Sequence, residues 1–380
     1  MNAFDKTLPA TSAARFTDAD HWLAFGAQWP SGEQKSLYCC AVDNETHDVK
    51  TFNFRCPDLN AVSFEPGQFL TVTALIAGQP VSRCYTLSSA PTRPFTVAIT
   101  VKRVPGGTVS NWLHDHLRAG DRLLASGPAG NFTPVAKPAA KVLYLSAGSG
   151  VTPLASMTRA STDLCAEMDI VFVHSARTPK DIVFRDELAR LAASRANVRV
   201  INICEGLGDE PDWQGNIGRL DLELLQTQVP DFLEREVFTC GPQGYMNAVQ
   251  NLLKSGGFDM THFHNESFDI SVADTDTDTD TLIELPATAA AEQDTFTVKL
   301  ARSGKTFSMS RTQTVLSAAR KAGAVVPSSC SQGVCGTCKT AVLEGSVEMN
   351  HNGGIRQREI DRGLRLLCCS RPTSDLVLDL

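Results

Sequence analysis

From residue 36 to residue 135 apolar and polar positions alternate in short runs: SLYCCAV at 36–42, VKTFNF at 49–54, QFLTVTALI at 68–76, FTVAITVKRV at 95–104 and DRLLASG at 121–127. Pro66-Gly67 and Pro105-Gly106-Gly107 punctuate them. A period of two puts one face of each strand in a core, and the frequent turn residues join neighbours, which predicts an antiparallel β-barrel or sandwich. Residues 140–268 read differently. Short, mostly apolar β-rich runs at 142–145, 170–174, 198–203 and 236–239 alternate with helix-like segments such as 153–168 and 181–194. Strands alternating with helices predict a parallel, doubly wound sheet.

The pattern lapses at 269–293. The Thr-Asp repeat there has no apolar period, and the stretch holds seven acids and no base. Such a segment cannot bury a core and is expected to be a solvated tether, keeping the parts it joins at high effective concentration. The expected organisation is a 1–35 N-terminal extension containing Trp22 and Trp29, a 36–136 β-barrel, a 137–268 α/β domain, the 269–293 linker and a small 294–380 module.

Composition narrows the function. A chain of 380 residues with 42% hydrophobic content is a folded protein of two to three domains. Its net charge of −7 argues against a nucleic-acid partner. No apolar run reaches the ~18 residues of a membrane span, and the N-terminus lacks the charged-then-apolar order of a secretory signal, so a cytoplasmic protein is expected. Charge is uneven: residues 1–268 carry −5 and residues 294–380 carry +5. Arg356, Arg358, Arg362, Arg365 and Arg371 are either a solvated face or a docking surface for an acidic partner.

Five of the twelve cysteines lie in the last 51 residues. In an intracellular chain, clustered cysteines point to a metal or redox site; the seven scattered ones read mostly as small buried apolar residues. CSQGVCGTC at 330–338 is C-x4-C-x2-C, and Cys368 follows Cys338 by thirty residues. This is the plant-type [2Fe–2S] spacing, whereas zinc sites usually pair two C-x2-C units. Ser331, Gly333 and Gly336 let the loop wrap closely and aim N–H groups at sulfur. Cys330, Cys335 and Cys338 are three ligands; spacing alone leaves Cys368 and Cys369 open as the fourth.

Residues 294–380 resemble a plant-type ferredoxin, which implies an α+β, β-grasp-like fold ending in a strand at 376–380. The Cys368-x3-Pro372-x-Ser374-Asp375 segment resembles the end of such ferredoxins and selects Cys368. Residues 36–268 resemble the ferredoxin–NADP reductase superfamily. In this order the chain resembles flavin/[2Fe–2S] reductase components of Rieske-type oxygenases, those for quaternary amines such as glycine betaine among them, and hybrid-cluster-protein reductases.

The resemblance assigns site residues. Arg83-Cys84-Tyr85-Thr86-Leu87-Ser88-Ser89 matches the family's R-x-Y-[ST]. It implies that Arg83 pairs with the flavin pyrophosphate, Tyr85 packs on the isoalloxazine, and the Thr86 hydroxyl bonds near N5. Val101-Lys102 and then Gly106-Gly107-Thr108-Val109-Ser110 resemble the FAD-binding members, so FAD is expected over FMN. The glycine pair lets backbone approach phosphate, and the helix after it, with Ser110 at its cap, favours an anion. His114 and His116 in that helix are expected at the surface. Ser146-Ala147-Gly148-Ser149-Gly150-Val151-Thr152-Pro153 is a strand–glycine–helix corner of the kind that offers N–H groups to a pyrophosphate, with Gly148, Gly150, Thr152 and Pro153 matching the family pattern. Thr239-Cys240-Gly241-Pro242 resembles the element that brings a thiol beside the nicotinamide C4 and flavin N5. Phe268, after Asn265-Glu266-Ser267, matches the aromatic that covers the flavin face, and Glu266 an acid near the flavin. For the nucleotide, Arg177 or Lys180 can meet a 2′-phosphate. The Ser175-x-Arg177 run followed by Phe184-Arg185-Asp186-Glu187-Leu188 resembles NADH-using reductases, so NADH is expected over NADPH.

The expected activity is electron transfer from NADH through FAD to [2Fe–2S] and on to a terminal oxygenase; a hybrid-cluster protein or desaturase as acceptor, or a redox-sensing module, are the alternatives. Flavin bridges two-electron donors and one-electron acceptors. Anaerobic NADH is therefore expected to bleach the flavin and raise a rhombic EPR signal from the reduced cluster. An oxidised flavin after both NADH and NADPH sinks the reductase reading.

Overall fold

The computed structural model describes residues 29, 34–135, 139–267, 295–324, 326, 333, 336, 338–351, 355 and 357–380. The expected tether, Trp22, Phe268, Cys330 and Cys335 lie outside these residues.

The first part is a six-stranded antiparallel sheet of β1 (Gln34–Asn44), β2 (Val49–Arg55), β3 (Phe69–Ile76), β4 (Gln79–Thr86), β5 (Val97–Lys102) and β6 (Arg122–Ala129), with α1 (Thr108–His116) between the last two. Strand order is β4-β3-β6-β1-β2-β5. A Leu87–Ile99 bridge and the Ser88 N–H to Ala98 carbonyl bond draw the two edge strands together, which closes the barrel. The alternating apolar positions meet inside: Leu37, Phe52, Phe54, Leu70, Ile99 and Leu113 are buried together. Trp29 joins this core, so a residue expected in an extension packs with the barrel. His114 corrects its expected surface position. It is buried, its Nε2 lies 2.9 Å from the Val101 carbonyl, and burial pushes its pKa below the ordinary imidazole value. His116 is exposed and stacks on Trp112.

The second part is a sheet of β7 (Lys141–Ala147), β8 (Asp169–Ala176), β9 (Val198–Cys204), β10 (Asn216–Ile217), β11 (Glu236–Gly241) and β12 (Phe263–Ser267), in the order β10-β9-β8-β7-β11-β12 with every pair parallel. Four helices accompany it: α2 (Val151–Asp163), α3 (Arg185–Ser194), α4 (Leu222–Gln228) and α5 (Gln243–Ser255). Tyr144, Phe172, Phe238 and Cys240 face α2 and α3, while Leu145, Val173, Ile203 and Val237 face α4 and α5. Two helices are shorter than expected. The 153–168 segment stops at Asp163 because Cys165 turns left-handed at φ +52°. The 181–194 segment begins at Arg185, because Phe184 sits at φ +61° and residues 179–181 form a separate 3-10 turn capped by Thr178 and Asp181.

The third part, a separate unit, is a five-stranded sheet in the order β14-β13-β19-β15-β17, from β13 (Thr295–Leu300), β14 (Thr306–Ser310), β15 (Lys339–Glu344), β17 (Leu364–Leu366) and β19 (Leu376–Leu378). β13 and β19 run parallel and the other pairs antiparallel. β16 (Val347–Met349) pairs with β18 (Ser370–Pro372), and α6 (Val315–Lys321) and α7 (Gln357–Ile360) complete it. The terminal strand ends two residues earlier than expected.

Pro66-Gly67 forms the 65–68 turn, with Gly67 at φ +98° and the Gln68 N–H on the Glu65 carbonyl. A Cβ on Gly67 would lie 2.0 Å from the Phe132 carbonyl oxygen and 2.8 Å from the Met157 side chain on α2. Gly67→Ala is therefore expected to cost about 2 kcal/mol or more in urea unfolding, since left-handed strain adds to a backbone clash. An unchanged midpoint sinks this account.

Candidate functional site

Strands β8 and β9 lie on one side of β7, and β11 and β12 on the other. The chain thus reverses its winding between β7 and β11, and ligands of such sheets bind at the carboxyl ends of the strands flanking that point. Both glycine motifs end there. Gly148 through Gly150 form a 3-10 turn directly after β7, which then leads into α2. A Cβ on Gly150 would fall 2.2 Å from the Cys240 carbonyl oxygen and 2.5 Å from the Gly241 nitrogen. Only glycine admits this approach. Gly148, at φ +53°, has open space where a Cβ would be, as a turn that receives a ligand requires. Thr152 is buried and donates to the Ser149 carbonyl at 3.1 Å, holding the corner, and Pro153 lies in the first turn of α2, where a missing N–H costs no helical bond.

Cys240 is fully buried, and burial, reinforced by the Glu266 carboxylate, pushes its thiol well above the ordinary value. It is a neutral thiol, not a nucleophilic thiolate. The parallel register sets Glu266, Cys240, Ser146, His174 and Asn202 side by side across five strands, all on one face. Ser146 Oγ lies 2.8 Å from His174 Nδ1. His174 Nε2 and Asn202 Oδ1 are buried with no hydrogen-bond partner among the described residues. Burial drives the His174 pKa down to about 4. Tyr245 and Ser175 hydroxyls are likewise buried, near enough for Ser175 to offset part of the burial that raises the Tyr245 phenol, but without a well-aligned bond. This polar row was missed in the sequence. Its only signal was His174 in an otherwise apolar run, and the row appears only when strands align.

On the barrel, Thr86 is buried and its hydroxyl has no hydrogen-bond partner among the described residues. A buried unsatisfied hydroxyl is costly, so one placed where a flavin N5 is expected fits that group. Arg83 and Tyr85 are half-buried on the same strand. Gly106, at φ +73°, has open space at its Cβ position, and Gly107 caps α1. Ser110 is corrected from cap to first turn: Gly107 is the N-cap, and Ser110 Oγ accepts the Val104 N–H at 3.4 Å. Thr108 opens the helix, and Val109 is packed in the barrel core. Val101 and Lys102, also expected at the flavin, lie at the end of β5. Val101 faces the core with its carbonyl held by His114, and Lys102 is paired with Asp48 at 2.9 Å.

After β8, Arg177 is exposed beyond Ser175, and Lys180 is held by Asp209 at 2.8 Å and Arg185 by Glu210 at 2.8 Å. Gly241 packs against Ala147 and Tyr245, and Pro242 caps α5.

In the third unit Cys338 and Cys368 are buried in one core. The Gly333 N–H donates to Cys368 Sγ at 3.2 Å, and Gly333 and Gly336 both take positive φ, as a loop wrapping sulfur requires. Cys369 Sγ instead lies 3.6 Å from the Leu366 carbonyl. The donor set and the N–H aimed at sulfur fit a [2Fe–2S] cluster.

Three families match in succession: the oxidoreductase FAD-binding domain at 40–133, the oxidoreductase NAD-binding domain at 144–251 and the 2Fe-2S iron-sulfur cluster binding domain at 298–373. The chain is 44% identical to the glycine betaine monooxygenase reductase subunit of Pseudomonas aeruginosa (strain UCBPP-PA14), over 92% of this chain and 96% of that protein. It is 40% identical to the stachydrine N-demethylase reductase subunit Stc4 of Rhizobium meliloti (strain 1021), over 90% and 95%. Among solved structures, phthalate dioxygenase reductase, a modular structure for electron transfer from pyridine nucleotides to [2Fe–2S], aligns with 28% identity and a TM-score of 0.57 over 91% of this chain and 98% of that one. Among the described residues no helix is long and apolar enough to cross a membrane.

His174 makes a pH prediction. Its folded pKa lies below its unfolded value of about 6.5, so the unfolded chain binds the proton first as pH falls. Stability from this group is intact above pH 6.5 and declines towards pH 4, by about 3 kcal/mol for the full shift. His174→Gln is expected to flatten that decline in urea unfolding between pH 7 and 4.5; parallel curves for the two proteins refute it.

Proposed function

We propose, for a chain that belongs to the reductase subunits of oxygenase systems built from FAD-binding, NAD-binding and [2Fe–2S] domains, that its electrons go to a Rieske-type terminal oxygenase acting on an N-methylated quaternary amine of the glycine betaine or stachydrine kind. The enzyme is an NAD(P)H-dependent flavin/iron–sulfur oxidoreductase that supplies an oxygenase partner. Bound FAD accepts hydride and yields electrons singly, and the bound cluster takes them one at a time.

The residues have the following roles in this reading. Gly148, Gly150 and Thr152 present backbone N–H groups to the nucleotide pyrophosphate, Pro153, which has no N–H of its own, presets the backbone of the first helical turn, and Ser175 and Arg177 face the adenosine end. Cys240, with Gly241 and Pro242, holds a neutral thiol against the nicotinamide, kept protonated by burial. Thr86 donates its hydroxyl to the flavin N5 region. Tyr85 and Phe268 cover the ring, and Arg83, with the turn at Gly106 and Gly107 and the N-terminal end of α1 at Thr108, neutralises the FAD pyrophosphate. Cys330, Cys335, Cys338 and Cys368 hold the cluster. NADH is the donor in this reading, because a 2′-phosphate would approach a rim where Asp209 and Glu210 already occupy Lys180 and Arg185. The single observation that carries the redox reading is the contact of Gly150 with the Cys240–Gly241 peptide, which joins the two nucleotide motifs at the switch point.

Reconstitution tests the acceptor. With the terminal oxygenase of a glycine betaine or stachydrine system, NADH oxidation is expected to rise on adding the amine, with release of the demethylated product. Reduction of artificial acceptors without amine-dependent turnover by any such oxygenase sinks the assignment while leaving the reductase intact.

A further inference from the structure

Ser156, Arg159 and Asp163 of helix α2 follow one another at spacings of three and four, so they form one stripe. That stripe lies on the barrel loop directly after the flavin motif. Ser156 Oγ donates to the Ser89 carbonyl at 2.6 Å. Arg159 Nη1 donates to the Ser88 carbonyl. Asp163 accepts from Thr92 at 2.5 Å and, through both oxygens, from Arg93 at 2.9 and 2.7 Å. Two successive carbonyls of the Arg83-to-Ser89 motif are therefore bound by the helix whose first turn is the nucleotide corner.

Arg159 is the most constrained of the three. Its Nε and Nη2 bind both oxygens of Glu187 on α3 at 2.7 and 2.5 Å, its guanidinium stacks 4.3 Å from the Phe184 ring centre, and its side chain is 12% exposed. Phe184 is a bulky residue in the left-handed region, a conformation that persists only where the surroundings hold it. From the barrel side Ser88 is held as well. Ser88 Oγ lies 2.8 Å from Thr100 Oγ1, Thr100 lies 2.8 Å from Thr51, and Thr51 donates to Glu45 at 2.6 Å. One polar chain thus runs from Glu187 through Arg159 to Ser88, two residues along from Thr86, and on to Glu45.

We propose that Arg159 is a positioning residue for hydride transfer: through Ser88 on one side and Glu187 and Phe184 on the other it sets the register of α2, and so of the Gly148–Gly150 corner, against the strand that presents Thr86. This rests on the site reading above. Lysine cannot make the forked contact, the carbonyl bond and the stack together. Hydride transfer is sensitive to displacement of this kind, an ångström being worth about 100-fold.

The test uses the full-length holoprotein. Arg159→Met is expected to slow flavin reduction at saturating NADH in anaerobic stopped flow by about 10- to 100-fold. FAD content and the NADH concentration at half-saturation should stay unchanged, and Arg159→Lys should fall between. Hydrogen exchange should rise in peptides covering 84–98 and 183–190, where the Ser88 and Leu188 amides donate to Ala98 and Phe184. A merely structural Arg159 would lower the melting temperature and leave the rate untouched; that result overturns the proposal. If Arg159→Met does not accumulate with FAD, Ser156→Ala removes one bond of the stripe, and an unchanged rate in it overturns the proposal equally. Should the wild type itself resist reduction by NADH, the site reading fails; unaltered exchange in Arg159→Met would separately refute the clamp.

Discussion

The parallel pairing of β7 with β11 is the constraint on which the flavin and nucleotide parts depend. It brings the turn after one strand against the peptide at the end of the other, so closely that position 150 tolerates no side chain. Neighbouring strands then inherit the register, and a row of buried polar residues from Glu266 to Asn202 follows. A parallel sheet buried on both faces normally fills such positions with branched apolar residues. Here the carboxyl ends of the strands are polar and incompletely satisfied, which is expected where a ligand completes the bonding.

Electrostatics works in the same direction. Burial keeps Cys240 and His174 neutral at physiological pH. The charged groups nearby are committed in pairs: Arg159 to Glu187, Arg93 to Asp163, Lys102 to Asp48. Most such pairs at a surface contribute little to stability, but a half-buried, forked pair such as Arg159–Glu187 fixes geometry. The nucleotide corner is in this way anchored to the barrel through polar contacts, while Met157 and Phe132 fill the space about Gly67 between them.

The cysteine module obeys a different rule. The C-x4-C-x2-C run is local in sequence, whereas Cys368 lies thirty residues beyond Cys338 and is brought into the same core by packing with Leu366 and Leu367. The two adjacent thiols have different surroundings: the Gly333 N–H is directed at Cys368 Sγ, whereas Cys369 Sγ lies by the Leu366 carbonyl.

Local patterns were legible without the fold. The period-two runs of the barrel, the strand–helix alternation of the nucleotide part and C-x4-C-x2-C are written over stretches short enough for backbone sterics and ligand geometry to dictate them. The sequence by itself determined the order of modules, the glycine turns and the [2Fe–2S] spacing, while FAD and NADH followed from the family resemblance its motifs carry. What it could not determine were relations between distant segments. The burial of His114 and Trp29, the Lys102–Asp48 ion pair, the Ser146–His174 contact and the Arg159 stripe all join residues far apart in the chain. Sheet register and helix docking decide them, because a side chain's partners are set by which strand lies beside its own and not by the residues next to it in sequence.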